Sequence, residues 1–287
     1  MVPGSLTTRA PALLDPPPRE DPLIRLENIH VSYALKDGTR KKILNGIDLD
    51  IRSGEFISVV GQTGCGKSTL LRLILGSETP TEGRVLVEDR EVHRPDRDRG
   101  YVPQKYSLFP DKTVSGNITF GLEVEEFSLV TRFTPRFYKR RRQFRAEARR
   151  QLAKMGLHAS DATKYPDQLS GGMQQRVAIA QALVMKPKIL LMDEAFSALD
   201  PSTRAGMQKL IRQVWKETGT TILFVTHNIA EALHLATRVI VLAKNPDADG
   251  SRIALDLPVP DHEFADDYAP LAARIEQATG HMRSDAS

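Results

Sequence analysis

Nine consecutive residues constrain this chain more than any others. In Gly61-Gln62-Thr63-Gly64-Cys65-Gly66-Lys67-Ser68-Thr69 the first eight match the pattern G-x-x-x-x-G-K-[ST], and Thr69 follows it. The apolar run FISVV (56–60) precedes them and a helix-like stretch from Lys67 to Leu75 follows. Glycines let backbone N–H groups curl around phosphate oxygens with no side chain in the way. The helix then aims its positive end at the same anion. Lys67 is suited to neutralise β- and γ-phosphates, and Ser68 to ligate Mg²⁺. A chance glycine turn would lack the strand before it and the helix after it, so a nucleotide is expected here.

The rest of the chain fits around that unit. YVP (101–103), ILLM (189–192), ILFV (222–225) and VIVLA (239–243) are short apolar runs that alternate with helical segments. Buried parallel strands read this way, and the alternation argues for an α/β core. LIRLENIHVSY and ILNGIDLDI alternate apolar and polar positions, as half-buried antiparallel strands do. Residues 112–168 have helical composition and few strand signals. The expected fold is α/β: a P-loop NTPase (RecA-like) core with an antiparallel β subdomain and an inserted helical subdomain. The expected divisions are a disordered Pro-rich tail over 1–22, a main domain over 23–262 and an extension over 263–287 with a helix-like stretch at 269–279.

Composition closes off other classes. The longest unbroken apolar run is Val239 to Ala243, whereas a membrane-spanning helix needs roughly 20 residues. The single cysteine, Cys65, excludes an internal disulfide and a Cys-based zinc site. Arg9, Pro11, Asp15 and three prolines at 16–18 break up any signal-peptide core. A cytoplasmic protein is the simplest reading.

Two further strings carry chemistry. Asp193 and Glu194 end the buried run ILLM, and carboxylates there are costly unless they bind something. Asp193 suits Mg²⁺, and Glu194 could polarise an attacking water. Ser170-Gly171-Gly172 open a second helix, with Ser170 as its N-cap and bare backbone N–H groups at a positive helix end. One phosphate chain does not need two helix ends within one subunit.

The combination resembles the ABC-type ATPases. LSGGMQQR is similar to their signature, ILLMDEAFSALD to their Walker B and D-loop, Val225-Thr226-His227 to their switch histidine and Tyr101-Val102-Pro103-Gln104 to their Q-loop. All occur in the family's order, between Leu23 and Ala243. YSLFPDKTVSGNITFGL and THNIAEALHLATRVIVL are similar to bacterial importers of the nitrate/sulfonate/taurine group. The resemblance implies a head-to-tail dimer with two ATPs, in which Lys67 of one chain and Ser170 of the other face one nucleotide. It makes Glu194 the catalytic base and His227 its helper. Ser68, Asp193 and Gln104 attend Mg²⁺, Tyr33 stacks on adenine, and Asp200 lies at the dimer interface. It also implies a membrane permease, a solute-binding protein outside the membrane and a peripheral place on the cytoplasmic face of the inner membrane. Rivals are the ATPase of an exporter or lipid transporter, or a soluble ABC protein acting on nucleic acid or ribosomes.

Two features are not absorbed. Residues 132–150 hold nine Arg/Lys and one Glu while the whole chain carries only +4, so the remainder is net negative. Three readings stand for this segment: a solvated, partly disordered charge run, contact with anionic lipid headgroups, or nucleic-acid binding, the last not expected for the protein as a whole. Cys65, inside the loop, is either a small residue that fits or a site where alkylation blocks ATP.

Overall fold

A computed structural model describes residues 21–105, 107–127, 135–245, 248–260 and 268–280. The elements run β1 (Ile24–Ala34), β2 (Arg40–Ile51), β3 (Phe56–Val60), α1 (Lys67–Leu75), β4 (Glu82–Val87), β5 (Arg90–Glu91), β6 (Arg99–Val102), α2 (Val114–Glu126), α3 (Pro135–Lys154), α4 (Gly171–Leu183), β7 (Ile189–Asp193), α5 (Pro201–Thr218), β8 (Thr221–Thr226), α6 (Ile229–Leu235), β9 (Arg238–Lys244), β10 (Ser251–Pro258) and α7 (Ala269–Thr279). The strands form one sheet in the order β5-β4-β1-β2-β10-β9-β3-β8-β7-β6.

Hydrophobic pattern decides which part of the sheet each strand enters. β3, β7 and β8 are buried at every position and pair in parallel with their neighbours β9 and β6. Their residues alternate between two cores. Phe56, Met192, Phe196 and Phe224 pack on one side of the sheet, and Ile57, Val59, Leu191 and Leu223 pack with Leu70 and Leu71 of α1 on the other. Each such side chain stabilises the fold by about 1.5–3 kcal/mol. β1 and β2 instead alternate buried and exposed residues and pair antiparallel, as β1 does with β4.

β10 was not foreseen in the sequence. Ile253, Leu255 and Leu257 alternate with the exposed Arg252, Ala254, Asp256 and Pro258, and only Ser251 and Leu257 are buried, too exposed a pattern to stand out. The strand pairs antiparallel with β9 and touches β2 through Ser251 and Leu44, so it joins the two parts of the sheet.

Between β6 and β7 lie α2, α3 and two short 3₁₀ turns at Ala159–Thr163 and Pro166–Gln168. The basic segment is helical from Pro135 onward, which removes the disordered reading for that part; 132–134 fall outside the described residues, as do 1–20 of the expected tail. The helix-like stretch at 269–279 is α7. Its Ile275 is fully buried, against the core that β9 and α6 line. No helix among the described residues is long and apolar enough to cross a membrane.

Candidate functional site

β3 delivers the chain into the glycine loop, and α1 takes it out. Gly66, the N-cap of α1, has φ 97°, a left-handed conformation that L side chains rarely adopt. No side chain caps this helix start, so its first N–H groups are left for an anion. At Gly61 a Cβ would lie 2.3 Å from the Leu242 carbonyl oxygen, so no larger residue fits. Lys67 is buried, and its Nζ donates to the carbonyls of Gly61 (2.8 Å) and Gln62 (3.0 Å). The loop is thus closed around its own ammonium. Beside it Thr63 and Gly64 line a cleft of about 500 Å³, shared with Leu35, Lys41, Lys42 and Lys244.

Two loop residues behave differently from a simple phosphate cradle. The Gln62 side chain turns away and donates from Nε2 to the Thr279 carbonyl of α7 at 2.8 Å. Cys65 is 1% exposed, and burial pushes its thiol above the ordinary range. That argues against Cys65 as an easily alkylated handle and for the small residue that fits.

The acidic pair stands over the start of α1. Ser68 Oγ donates to Asp193 Oδ1 at 3.0 Å, and the Tyr101 hydroxyl donates to the other carboxylate oxygen at 3.4 Å. Burial, with the Asp193 charge next to it, pushes the Tyr101 phenol up to about 12, so it stays a donor. Glu194 has φ 43°, strained for a non-glycine residue. Its N–H still bonds the Val225 carbonyl at 2.9 Å, which holds it at the edge of β8. Two groups from other loops meet its carboxylate: Gln104 donates from Nε2 to Oε2 at 2.9 Å, and His227 Nδ1 lies 3.6 Å from Oε1. Four residues named from the sequence, Gln104, Asp193, Glu194 and His227, are therefore brought together with Ser68.

Tyr33 is 40% exposed, and its hydroxyl donates to Glu78. Arg72 of α1 grips the same carboxylate from Nε at 3.0 Å and reaches Thr69 Oγ1 at 3.2 Å. The tyrosine at the end of β1 is thereby tied to the phosphate loop. No motif spacing marks Glu78 or Arg72 in the sequence, and Tyr101 enters there only as part of the Q-loop string, with no role of its own.

Ser170, Gly171 and Gly172 stand apart from this cluster, and no hydrogen bond links them to the phosphate loop. Ser170 Oγ caps α4 by accepting from the Met173 N–H at 3.3 Å. A Cβ on Gly172 would strike Thr203 of α5 at 2.6 Å. Asp200 caps α5, accepting from the N–H groups of Ser202 and Thr203 and from the Ser202 hydroxyl; the Thr203 side chain first, then the Ser202 hydroxyl and these N–H groups, hold its carboxyl well below the usual range. A larger cavity, about 810 Å³, lies elsewhere, lined by Lys154 and Lys186 among others. Lys154 ends α3 and Lys186 follows α4, where helix dipoles favour positive charge.

Fold and site together define a P-loop nucleotide-binding core. A family model described as ABC transporter matches residues 44–197. The bicarbonate transport ATP-binding protein CmpC of Synechococcus elongatus is 46% identical over 238 residues, which are 83% of this chain and 34% of that protein. The nitrate import ATP-binding protein NrtC of the same organism is 40% identical over the same share of each. The chain thus spans about a third of the length of these curated relatives. A dimeric structure of the ATP-binding cassette MJ0796 in a post-hydrolysis state, bound to ADP and Pi, superposes with a TM-score of 0.69. It is 30% identical, and the match covers 83% of this chain and 99% of that one. The chain belongs to the ABC transporter family.

Proposed function

We propose that this chain hydrolyses ATP to power solute import through a separate membrane permease, working as a head-to-tail dimer of two such subunits. One observation carries the reading: Gln104 and His227 converge on Glu194 while its neighbour Asp193 is held by Ser68. This supports a metal at one carboxylate and a proton at the next.

The donor set fits MgATP. A hydroxyl and a carboxylate side by side, Ser68 and Asp193, are the hard oxygen ligands that Mg²⁺ takes together with phosphate oxygens. Bound there, Mg²⁺ would supply charge neutralisation on the phosphates. Lys67 and the uncapped start of α1 bind the phosphates, and Tyr33 offers its ring to the base. Glu194 accepts the proton of the attacking water, with Gln104 orienting its carboxylate. His227, whose side chain is 59% exposed, is free to turn toward the γ-phosphate. The separation of Ser170 from the phosphate loop supports a second copy completing each site. ATP binds the closed dimer better than the open one, hydrolysis removes that preference, and the permease follows the difference.

The import direction rests on the likeness to NrtC, a nitrate import ATP-binding protein; a solute-binding protein partner and a place on the cytoplasmic face of the cell membrane rest on the resemblance to the importer group alone. The test is to purify tagged Glu194→Gln protein with ATP from its native membranes and identify what accompanies it by mass spectrometry. A multi-span permease is expected. Ribosomal or nucleic-acid partners without a membrane protein would overturn the proposal.

A further inference from the structure

α3 sorts its many cations into two sets. The inner set is used up. Arg140 bonds Glu126 at 2.8 Å and Arg141 lies 3.6 Å from Glu123, both acids on α2. The same two guanidinium groups sit over the rings of Phe144 and Phe137, at 5.5 and 5.8 Å. Phe137 and Phe144 are buried with Phe127 and packed against Leu122. These contacts fix which way the helix faces.

The outer set has no partner among the described residues. Arg142, Arg145 and Arg149 are exposed, and with Tyr138 they are spaced i, i+4, i+7, i+11, so they form one straight line along the helix. Lys139 and Ala146 flank it, both exposed. At about 1.5 Å of rise per residue the line is roughly 16 Å long. Tyr138, 61% exposed, stands at its N-terminal end.

We propose that this stripe docks the protein on an anionic phospholipid surface. A flat array of headgroup phosphates matches a straight row of guanidinium groups, and Arg meets phosphate with paired N–H donors. Tyrosine suits the headgroup level, where its ring is shielded and its hydroxyl wet. Nucleic acid fits less well. A single strand asks for several aromatic platforms, and of the rings interleaved with the charges Phe137 and Phe144 are turned inward. The inference is independent of the nucleotide chemistry, since the stripe shares no residue with the phosphate-loop cluster.

The test uses the full chain and vesicles of phosphatidylcholine, with and without phosphatidylglycerol, read by co-sedimentation. Binding is expected only with phosphatidylglycerol and should fall as salt rises. Each cation near an anionic leaflet is worth about fivefold in partitioning. Removing three, in Arg142→Gln/Arg145→Gln/Arg149→Gln, should therefore weaken binding by roughly a hundredfold, with melting temperature and nucleotide binding unchanged. A triple Lys variant should retain most of it. Equal binding to neutral vesicles, no binding to anionic ones, or full binding by the triple Gln variant would each overturn the proposal. So would wild-type protein that ignores vesicles but binds duplex DNA or RNA through the same three arginines.

Discussion

Gln104 and Glu194 are joined by a 2.9 Å hydrogen bond from the amide Nε2 to the carboxylate Oε2. The bond couples the loop that leaves β6 to the residue that follows β7. It uses one carboxylate oxygen and leaves Oε1 facing His227. A change of Glu194 to its amide keeps an acceptor for Gln104 but removes the base. Glu194→Gln is therefore expected to bind MgATP with near wild-type affinity and to turn it over at least about a hundredfold more slowly. Phosphate release in steady state measures this, and unchanged turnover would remove Glu194 from the chemistry.

Ser170 has a local task as the cap of α4 and, in the dimer reading, a second one against the partner's nucleotide. The two separate in Ser170→Arg. Loss of the cap costs about 1 kcal/mol, which leaves the domain folded. In a Glu194→Gln background the variant should bind ATP as before yet elute as a monomer in size-exclusion chromatography where its parent elutes as a dimer. Lost ATP binding would make Ser170 purely structural.

Tyr33 separates ring from hydroxyl. Base–aromatic stacking is worth about 1–3 kcal/mol, so Tyr33→Ala should raise the Kd for ATP by roughly five- to a hundredfold. Tyr33→Phe keeps the ring and loses only the bond to Glu78, and its Kd should stay within about threefold. Fluorescent-nucleotide titration decides between them. If Phe weakened binding as much as Ala, the tie to Glu78 and Arg72 would matter more than stacking.

Cys65 gives a chemical prediction. A raised thiol pKa leaves less thiolate at neutral pH, and only the thiolate attacks. Disulfide-reagent kinetics in the folded protein should be at least about tenfold slower than in urea, with the gap narrowing as pH rises. Fast labelling of the folded protein would contradict the burial of the side chain.

Much of the site is local in the chain, and that is why it could be read there. The phosphate loop is a contiguous nine-residue device whose chemistry needs glycine, lysine and a hydroxyl in fixed order. The parallel strands announce themselves as apolar runs because both faces are covered. What escaped reading depends on residues far apart. Glu78 reaches Tyr33 only because β1 and β4 pair. Thr279 contributes a backbone carbonyl, which no side-chain pattern can signal. β10 is half-exposed, with no apolar run, so its joining role emerges only from the register with β9. The sorting of α3 into paired and unpaired cations likewise needs the acids of α2 in place, since the sequence shows only their sum.

The bond from Gln62 to Thr279 spans 217 positions. A ribosome adds about 5–20 residues per second, so the loop is made roughly 10–40 s before its partner carbonyl exists. During that interval the first half of the nucleotide pocket is already synthesised and its last brace is not. Maturation of this pocket is thus timed by translation of the far end of the chain, and a pause late in synthesis would hold the phosphate loop unbraced.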